Sequence, residues 1–476
     1  MSFGIQAIVL AAGRGSRIPE LVSSQPKCLL PIGNRPMIYY PLHALESCKF
    51  SVVTIVINEG QKEAVSEAIY NHFDTRTMTN RIGWFLLPNK DEDYGTADTL
   101  RLMHEQKQIS SDFLVISCDT LTNYPLYQLV SSYHIRDAAI TCLLSSSNII
   151  SDGSTPGKKG KPVLEKDLIG IDYQNNDRLV FFNSELVFDE DIPFSISMLK
   201  RCPQFIIHNN FLDTHIYIIK KWVLDYLAEK RQFKSIKANL IPRLVREQFK
   251  SNVIQNKTTY DSEVENKYKV DLLDYVEEDE IYKAIENLDN FNLSHVTVNP
   301  DTKEKKKVYP DSAVKCYAVI QRDGISLRAN TVTGYFEANK RLRAIFPNLP
   351  VKDKTSVPST PTTPNVGPPV KVQIGADCLV SPSSRIGDKT SIKRSCIGDH
   401  CLIGEKAKIA NCVIMNHVTV EAGCNIQGSI ICNNAVICSS AEIKDCIVAA
   451  NHKIATYGQF SNEVIPPTFV DASDDL

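Results

Sequence analysis

No apolar run in this sequence approaches the ~18 residues that a membrane span requires. No two cysteines are spaced Cys-x-x-Cys, and no His/Cys cluster has the spacing of zinc ligands. There is almost no net charge either, with 53 basic residues against 55 acidic ones and a formal balance of −2. Neither nucleic acid nor a membrane surface is therefore expected as the main partner. The apolar segment Ile5 to Ala12 lacks the basic flank of a signal peptide and runs straight into Gly13-Arg14-Gly15, so it reads as a buried strand. Fourteen cysteines without such a leader point to reduced thiols and to the cytosol.

What is present suggests two domains and a linker, since 476 residues exceed one ordinary core. Over the first 145 residues short β-branched runs (Ile5 to Ala11, Val52 to Ile57, Gly83 to Leu87, Phe113 to Ser117, Ala138 to Leu144) alternate with amphipathic stretches (Met37 to Cys48, Gln61 to His72, Ala97 to Gln106). That rhythm predicts an α/β domain with a mostly parallel sheet. Further strands are expected near Leu168 to Tyr173 and Phe205 to His208, and a helix over Lys221 to Lys230. We bound this domain at 1–250. Residues 251–354 form a mixed connecting region in which Val314 to Ile320 has strand character and Ala329 to Arg343 helical character. Its charge runs Glu277 to Glu280 and Lys305 to Lys307 read as solvated loop faces. Residues 355–370, rich in Pro, Thr and Ser, read as a linker.

Residues 371–465 carry a repeat. At a step of 17, one column holds Val380, Ile397, Ile414, Ile431 and Val448; a second Ile386, Ile403, Val420 and Ile437; a third Ile392, Ile409, Ile426 and Ile443. Two positions earlier on the same face stand mostly small residues, such as Cys378, Ser395, Cys412, Ser429 and Cys446. One branched aliphatic per side and a small residue where the walls converge is what a narrow triangular prism needs. A parallel β-helix is expected, and eight of the fourteen cysteines fall within it as packing residues. The columns end at Val448, leaving only Ala449 onward to an acidic tail within 466–476.

Near the N-terminus, a strand leads into Gly13-Arg14-Gly15-Ser16-Arg17, followed by Pro26-Lys27. Glycines there let backbone N–H groups approach phosphate, with Arg17 and Lys27 as cations. Gly95-Thr96 opens a helix, and Asp119 stands at a strand's C-terminal end, the ligand edge of an open α/β sheet.

Together with the repeat, these residues resemble the nucleoside-diphosphate-sugar pyrophosphorylases, whose signature L-A-A-G-x-G-x-R followed by P-K is matched by Leu10 to Arg17 and Pro26-Lys27. The hexapeptide period resembles that of left-handed β-helices. In the family the loop binds nucleotide phosphates and two acidic residues hold magnesium. Asp119 occupies the place of the first, with Cys118 replacing a glycine. The sugar side departs from the pattern. Ile169-Gly170-Ile171 and Phe181 to Glu185 lack the phosphate-binding lysine, and His215 crowds a position kept open for sugar. Neither Trp84 nor Trp222 opens the second metal motif. The resemblance thus implies no catalytic residue, no metal and no required cofactor. Gly13, Gly15, Arg17, Lys27, Gly95, Thr96 and Asp119 remain as a nucleotide site, vestigial or still able to take GTP or another nucleotide. With its partner missing, Asp119 reads as a helix N-cap or turn residue.

One branch is more similar, the gamma-subunit family of translation initiation factor 2B. The stretches that carry this are Gly95 to Arg101, Ser117-Cys118-Asp119, Lys315-Cys316-Tyr317, Tyr335 to Asn339, Ser391 to Ser395, Asn425 to Ser429 and Cys432 to Ile437. That resemblance implies a non-catalytic subunit of the complex that reloads initiation factor 2 with GTP. Its expected partners are an epsilon-like catalytic subunit, the other subunits of the exchange factor, and initiation factor 2. The exchange domain of epsilon is a C-terminal helical repeat, which fits nowhere after Val448. The competing readings are an active pyrophosphorylase, such as a mannose-1-phosphate guanylyltransferase, and a β-helix acyltransferase using His400, His417 or His452.

Overall fold

A computed structural model describes residues 4–50, 52–73, 81–88, 94–146, 155–157, 166–187, 192–249, 314–347, 372–375 and 377–466. The two charge runs, most of the connecting region, the Pro/Thr-rich linker and all but the first residue of the acidic tail lie outside the described residues. No helix among the described residues is long and apolar enough to cross a membrane.

The N-terminal body is built on ten strands. These are β1 (Gln6–Leu10), β2 (Val52–Asn58), β3 (Arg81–Leu87), β4 (Phe113–Ser117), β5 (Ile140–Ser146), β6 (Asp167–Asp172), β7 (Arg178–Ser184), β8 (Ile206–His208), β9 (Phe211–Ile219) and β10 (Cys316–Gln321). Their order is β8-β6-β7-β10-β5-β9-β4-β1-β2-β3. The run β4-β1-β2-β3 is parallel, as the alternation of strand and helix predicts. β9 is antiparallel to both β4 and β5, and β7 and β8 each pair antiparallel with β6, so the far half is mixed. Ala7 and Val9 point into one apolar cluster and Ile8 into another, which is why these strands read as continuous hydrophobic runs.

The boundary at residue 250 does not enclose this sheet. β10 lies between β5 and β7, parallel to β5, so a strand from beyond the boundary completes the middle of the layer. Ser326–Arg328 then pairs with Thr120–Thr122, and the helix Val332–Ile345 packs against the same cluster as β1. Local periodicity marks such segments as strand or helix but carries no information on long-range pairing.

In the C-terminal domain three parallel sheets, of six, six and five short strands, form successive coils in a register of 17. The inward residues are those of the three columns, closed into one core with Cys412, Cys424, Cys446 and the small alanines. All fourteen cysteines are free and buried. The coils do not stop at Val448: Ile454, Phe460 and Ile465 continue the columns and join the same core. Phe460 replaces the branched aliphatic of its column, which hides the last turn from a pattern built on Ile and Val.

The corners have a conformational signature of their own. Lys389, Lys406, Gly423, Ser440 and Tyr457, each 17 residues apart, all have positive φ. So do Arg394, Asn411, Gly428, Asp445 and Asn462, and so do His400, His417, Asn434 and Asn451. Turning a triangular coil in so few residues requires the left-handed region, which glycine, asparagine, aspartate and histidine enter at lowest cost.

One wall of the prism is not solvated. On the sheet containing Val413–Ile414, the outward residues Cys396, Val413, Met415, Ile430, Cys432 and Ile447 are buried. All but Cys396 belong to the apolar cluster of the N-terminal body, with Ile18, Leu21, Tyr335 and Leu342. The helix Val332–Ile345 mediates the contact. Asn339 accepts from the Gly33 N–H at 3.0 Å, Tyr335 Oη donates to Pro31 O at 2.6 Å, and Arg343 donates to Cys378 O at 3.0 Å.

Candidate functional site

Parallel pairing of β1 with β4, Leu10 opposite Ser117, brings the glycine loop and Asp119 to the same edge of the sheet. Gly15 has φ +78, and a Cβ there would lie 2.9 Å from Val22, so this turn demands glycine. At Gly13, in contrast, a Cβ would meet nothing within 4 Å. The fold alone therefore explains Gly15 and not Gly13. Arg14, Ser16 and Arg17 are exposed on the same loop.

Lys27 starts a short helical turn, and its ammonium pairs with Asp119. Asp119 lies in the turn between Phe113–Ser117 and Thr120–Thr122, one of its two expected places, caps no helix, and is only 1% exposed. Its carboxylate also accepts two hydrogen bonds from Arg328, Nε to Oδ1 and Nη2 to Oδ2, both at 3.1 Å. Burial pushes the Asp119 carboxyl up, but Arg328 and Lys27 outweigh it and hold the group well below the usual range. The neighbouring Cys118 thiol is pushed up to about 12, chiefly by burial, and stays neutral.

Sequence reasoning missed Arg328. It follows the weakly patterned Gly324-Ile325-Ser326, and only its register opposite Thr120 places it at the carboxylate. Lys237, also missed, lies on the helical turn Ile236–Leu240 and pairs with the buried Asp167 at 2.8 Å. Asp213 accepts from Tyr217 Oη, and its own carboxyl is raised, first by burial. His215 fills a bulge of β9 with φ 56, its ring against Tyr217. Burial first, then the charges of Arg328, Lys237 and Lys27, hold its imidazole well below the usual value. It is neutral at pH 7, and its 3.3 Å approach to Asp213 is not an ion pair.

Gly95 and Thr96 are engaged by the chain itself. The Ala97 N–H donates to Lys234 O at 2.9 Å, Thr96 Oγ1 accepts from the Ile236 N–H at 2.9 Å, and Asp98 accepts from the Gly95 N–H at 3.1 Å. Arg101, buried, donates to the carbonyls of Leu227, Lys230 and Phe233. The stretch Gly95 to Arg101 is thus a joint between two helices. A Cβ at Gly95 would lie 2.0 Å from Lys234 O. Gly95→Ala should therefore cost about 1–3 kcal/mol in denaturant unfolding, whereas Gly13→Ala should stay within about 0.5 kcal/mol.

Of the β-helix histidines, His400 and His417 are corner residues with stacked rings, 5.2 Å between centroids. Among the described residues no three His, Cys, Asp or Glu side chains gather as a metal site.

Comparison with known proteins places this geometry. A family profile described as MobA-like NTP transferase domain matches residues 7–164, and one described as EIF2B subunit epsilon LbH domain matches residues 363–459. A protein of Schizosaccharomyces pombe named translation initiation factor eIF2B subunit gamma is 26% identical over 394 residues, covering 81% of this chain and 73% of its own. Its namesake in Dictyostelium discoideum is 27% identical over 429 residues, covering 84% and 88%. Over most of its length the chain is similar to proteins named eIF2B subunit gamma. A mannose-1-phosphate guanyltransferase of Candida albicans is 27% identical, but over only 34% of this chain. The gamma family, in contrast, extends across both domains, and the β-helix is of the left-handed kind named in the second profile.

Proposed function

We propose that this chain is a non-catalytic subunit of the complex that exchanges GDP for GTP on initiation factor 2, working beside an epsilon-like catalytic subunit in the cytosol. The observation that carries the reading is the match to eIF2B gamma subunits over both domains. Physical support comes from Asp119, whose carboxylate is committed to Arg328 and Lys27 rather than open to substrate or metal. The fused domains suit a scaffold, because the apolar wall of the β-helix fixes its two solvated walls relative to the sheet.

A reconstituted exchange assay tests this. Release of labelled GDP from initiation factor 2 should be nil with the chain alone and should rise when the chain is added to an epsilon-like subunit. Release by the chain alone, or no effect on the partner's rate, would reject the proposal. With mannose 1-phosphate, GTP and Mg²⁺, no GDP-mannose should form above background. The open space at Gly13 supports a loop that still takes GTP; labelled GTP should then be retained in equilibrium dialysis and less so by Gly13→Val, and no retention by the wild type would reject it.

A further inference from the structure

In the pyrophosphorylases that the chain resembles, the carboxylate in the place of Asp119 holds magnesium, and the residues around Asp119 here do not fit a divalent cation. Both its oxygens accept from the Arg328 fork at 3.1 Å, and Lys27 contacts Oδ2 as well. A metal ion here would sit against the Arg328 guanidinium and the Lys27 ammonium at a buried carboxylate, where charge repulsion is screened least. Of the other buried carboxylates, Asp167 pairs through Oδ2 with Lys237, and Asp213 accepts from the Tyr217 hydroxyl.

We infer that Arg328 is a resident cation that takes the metal's place at Asp119. It is delivered there by register: Arg328 lies opposite Thr120 in the short ribbon, and the Ala329 N–H donates to Asp119 O at 2.8 Å. Side chain and backbone together tie residues 326–329 to the edge of the sheet that carries the glycine loop. A planar guanidinium meets a carboxylate in a fixed two-bond geometry, so the group both neutralises Asp119 and sets its orientation. Arg328 acts as a positioning residue, and it makes this edge of the fold independent of divalent ions. The inference concerns the chain's own site and is separable from its membership of an exchange complex.

Mn²⁺ binding to the full chain, followed by electron paramagnetic resonance of the free ion, tests it. The wild-type chain and Asp119→Asn should bind Mn²⁺ alike, with no site that depends on the carboxylate. Arg328→Gln should gain a site at least ten times tighter than any in the wild type, and adding Asp119→Asn should abolish the gain. Arg328→Lys, which keeps a cation, should gain nothing. A wild-type Mn²⁺ site lost in Asp119→Asn would overturn the inference, as would a cooperatively folded Arg328→Gln with no new site. Should Arg328→Gln fail to fold, the wild-type comparison with Asp119→Asn and a gain of Mn²⁺ by Arg328→Lys decide the matter on their own.

Discussion

Asp119→Ala should lower the unfolding free energy by about 3–5 kcal/mol, because it leaves two partly buried cations without the buried anion that they share. Arg328 and Lys27 converge on that one carboxylate, which is almost fully excluded from solvent. Asp119→Asn should lose a similar amount, since shape is kept and charge is not. The pH dependence follows from the depressed carboxyl. A group whose folded pKa lies below its unfolded value of about 3.9 contributes fully above that value. Its contribution declines only as pH falls from there through the folded value. The gap between wild type and Asp119→Asn should therefore be flat from neutral pH down to about 4 and shrink below it. His215, also held low, adds an earlier decline. Below its unfolded value of about 6.5 the unfolded chain takes up a proton that the folded chain refuses, and His215→Gln should remove that component. Denaturant unfolding across pH measures all of this. A loss under about 0.5 kcal/mol for Asp119→Ala would mean that the ion pairs are no better than exposed ones.

Ile430→Asp should separate the two domains. Ile430 is fully buried and points away from the β-helix core, into the cluster shared with the N-terminal body. The substitution removes about 2 kcal/mol of apolar burial and places an unpaired carboxylate there, a change that costs several kcal/mol more. Each domain keeps its own core, because the inward neighbour Ile431 is untouched. Calorimetry should show two separated transitions for Ile430→Asp where the wild type shows one. Thr419→Asp, on a wall whose outward residues are partly exposed, should leave the single transition in place. Unfolding of both domains together in Ile430→Asp would mean that the β-helix has no stability apart from the interface.

The comparison of these two sites shows what a sequence of this kind discloses. The inward columns of the β-helix were legible because each coil repeats one local requirement every 17 residues. The outward apolar row, Val413, Ile430 and Ile447, has the same period, yet it was passed over because Ile430-Ile431 and Ile447-Val448 look like a single apolar pair. On a strand such neighbours face opposite sides, so the pairs mark the one wall that is buried on both. Strands and helices of the N-terminal body were legible from local alternation, and Lys27 and Asp119 from their family motif. Arg328 and Lys237 were not, because Arg328 reaches Asp119 through a register with a distant strand and Lys237 reaches Asp167 from a helical turn far along the chain. The glycine loop divides in the same way. The strain at Gly15 is a local fact, whereas the covering of Gly95 by Lys234 depends on residues far along the chain.

The central claim, that this chain is a subunit of the exchange complex, is tested most directly by affinity purification of the tagged full chain from its own cells. Near-stoichiometric partners would be identified by mass spectrometry. The account predicts an epsilon-like subunit and the other exchange-factor subunits, with initiation factor 2 alongside. Recovery of the chain alone or only as copies of itself, with sugar-nucleotide synthesis in the purified fraction, would contradict it.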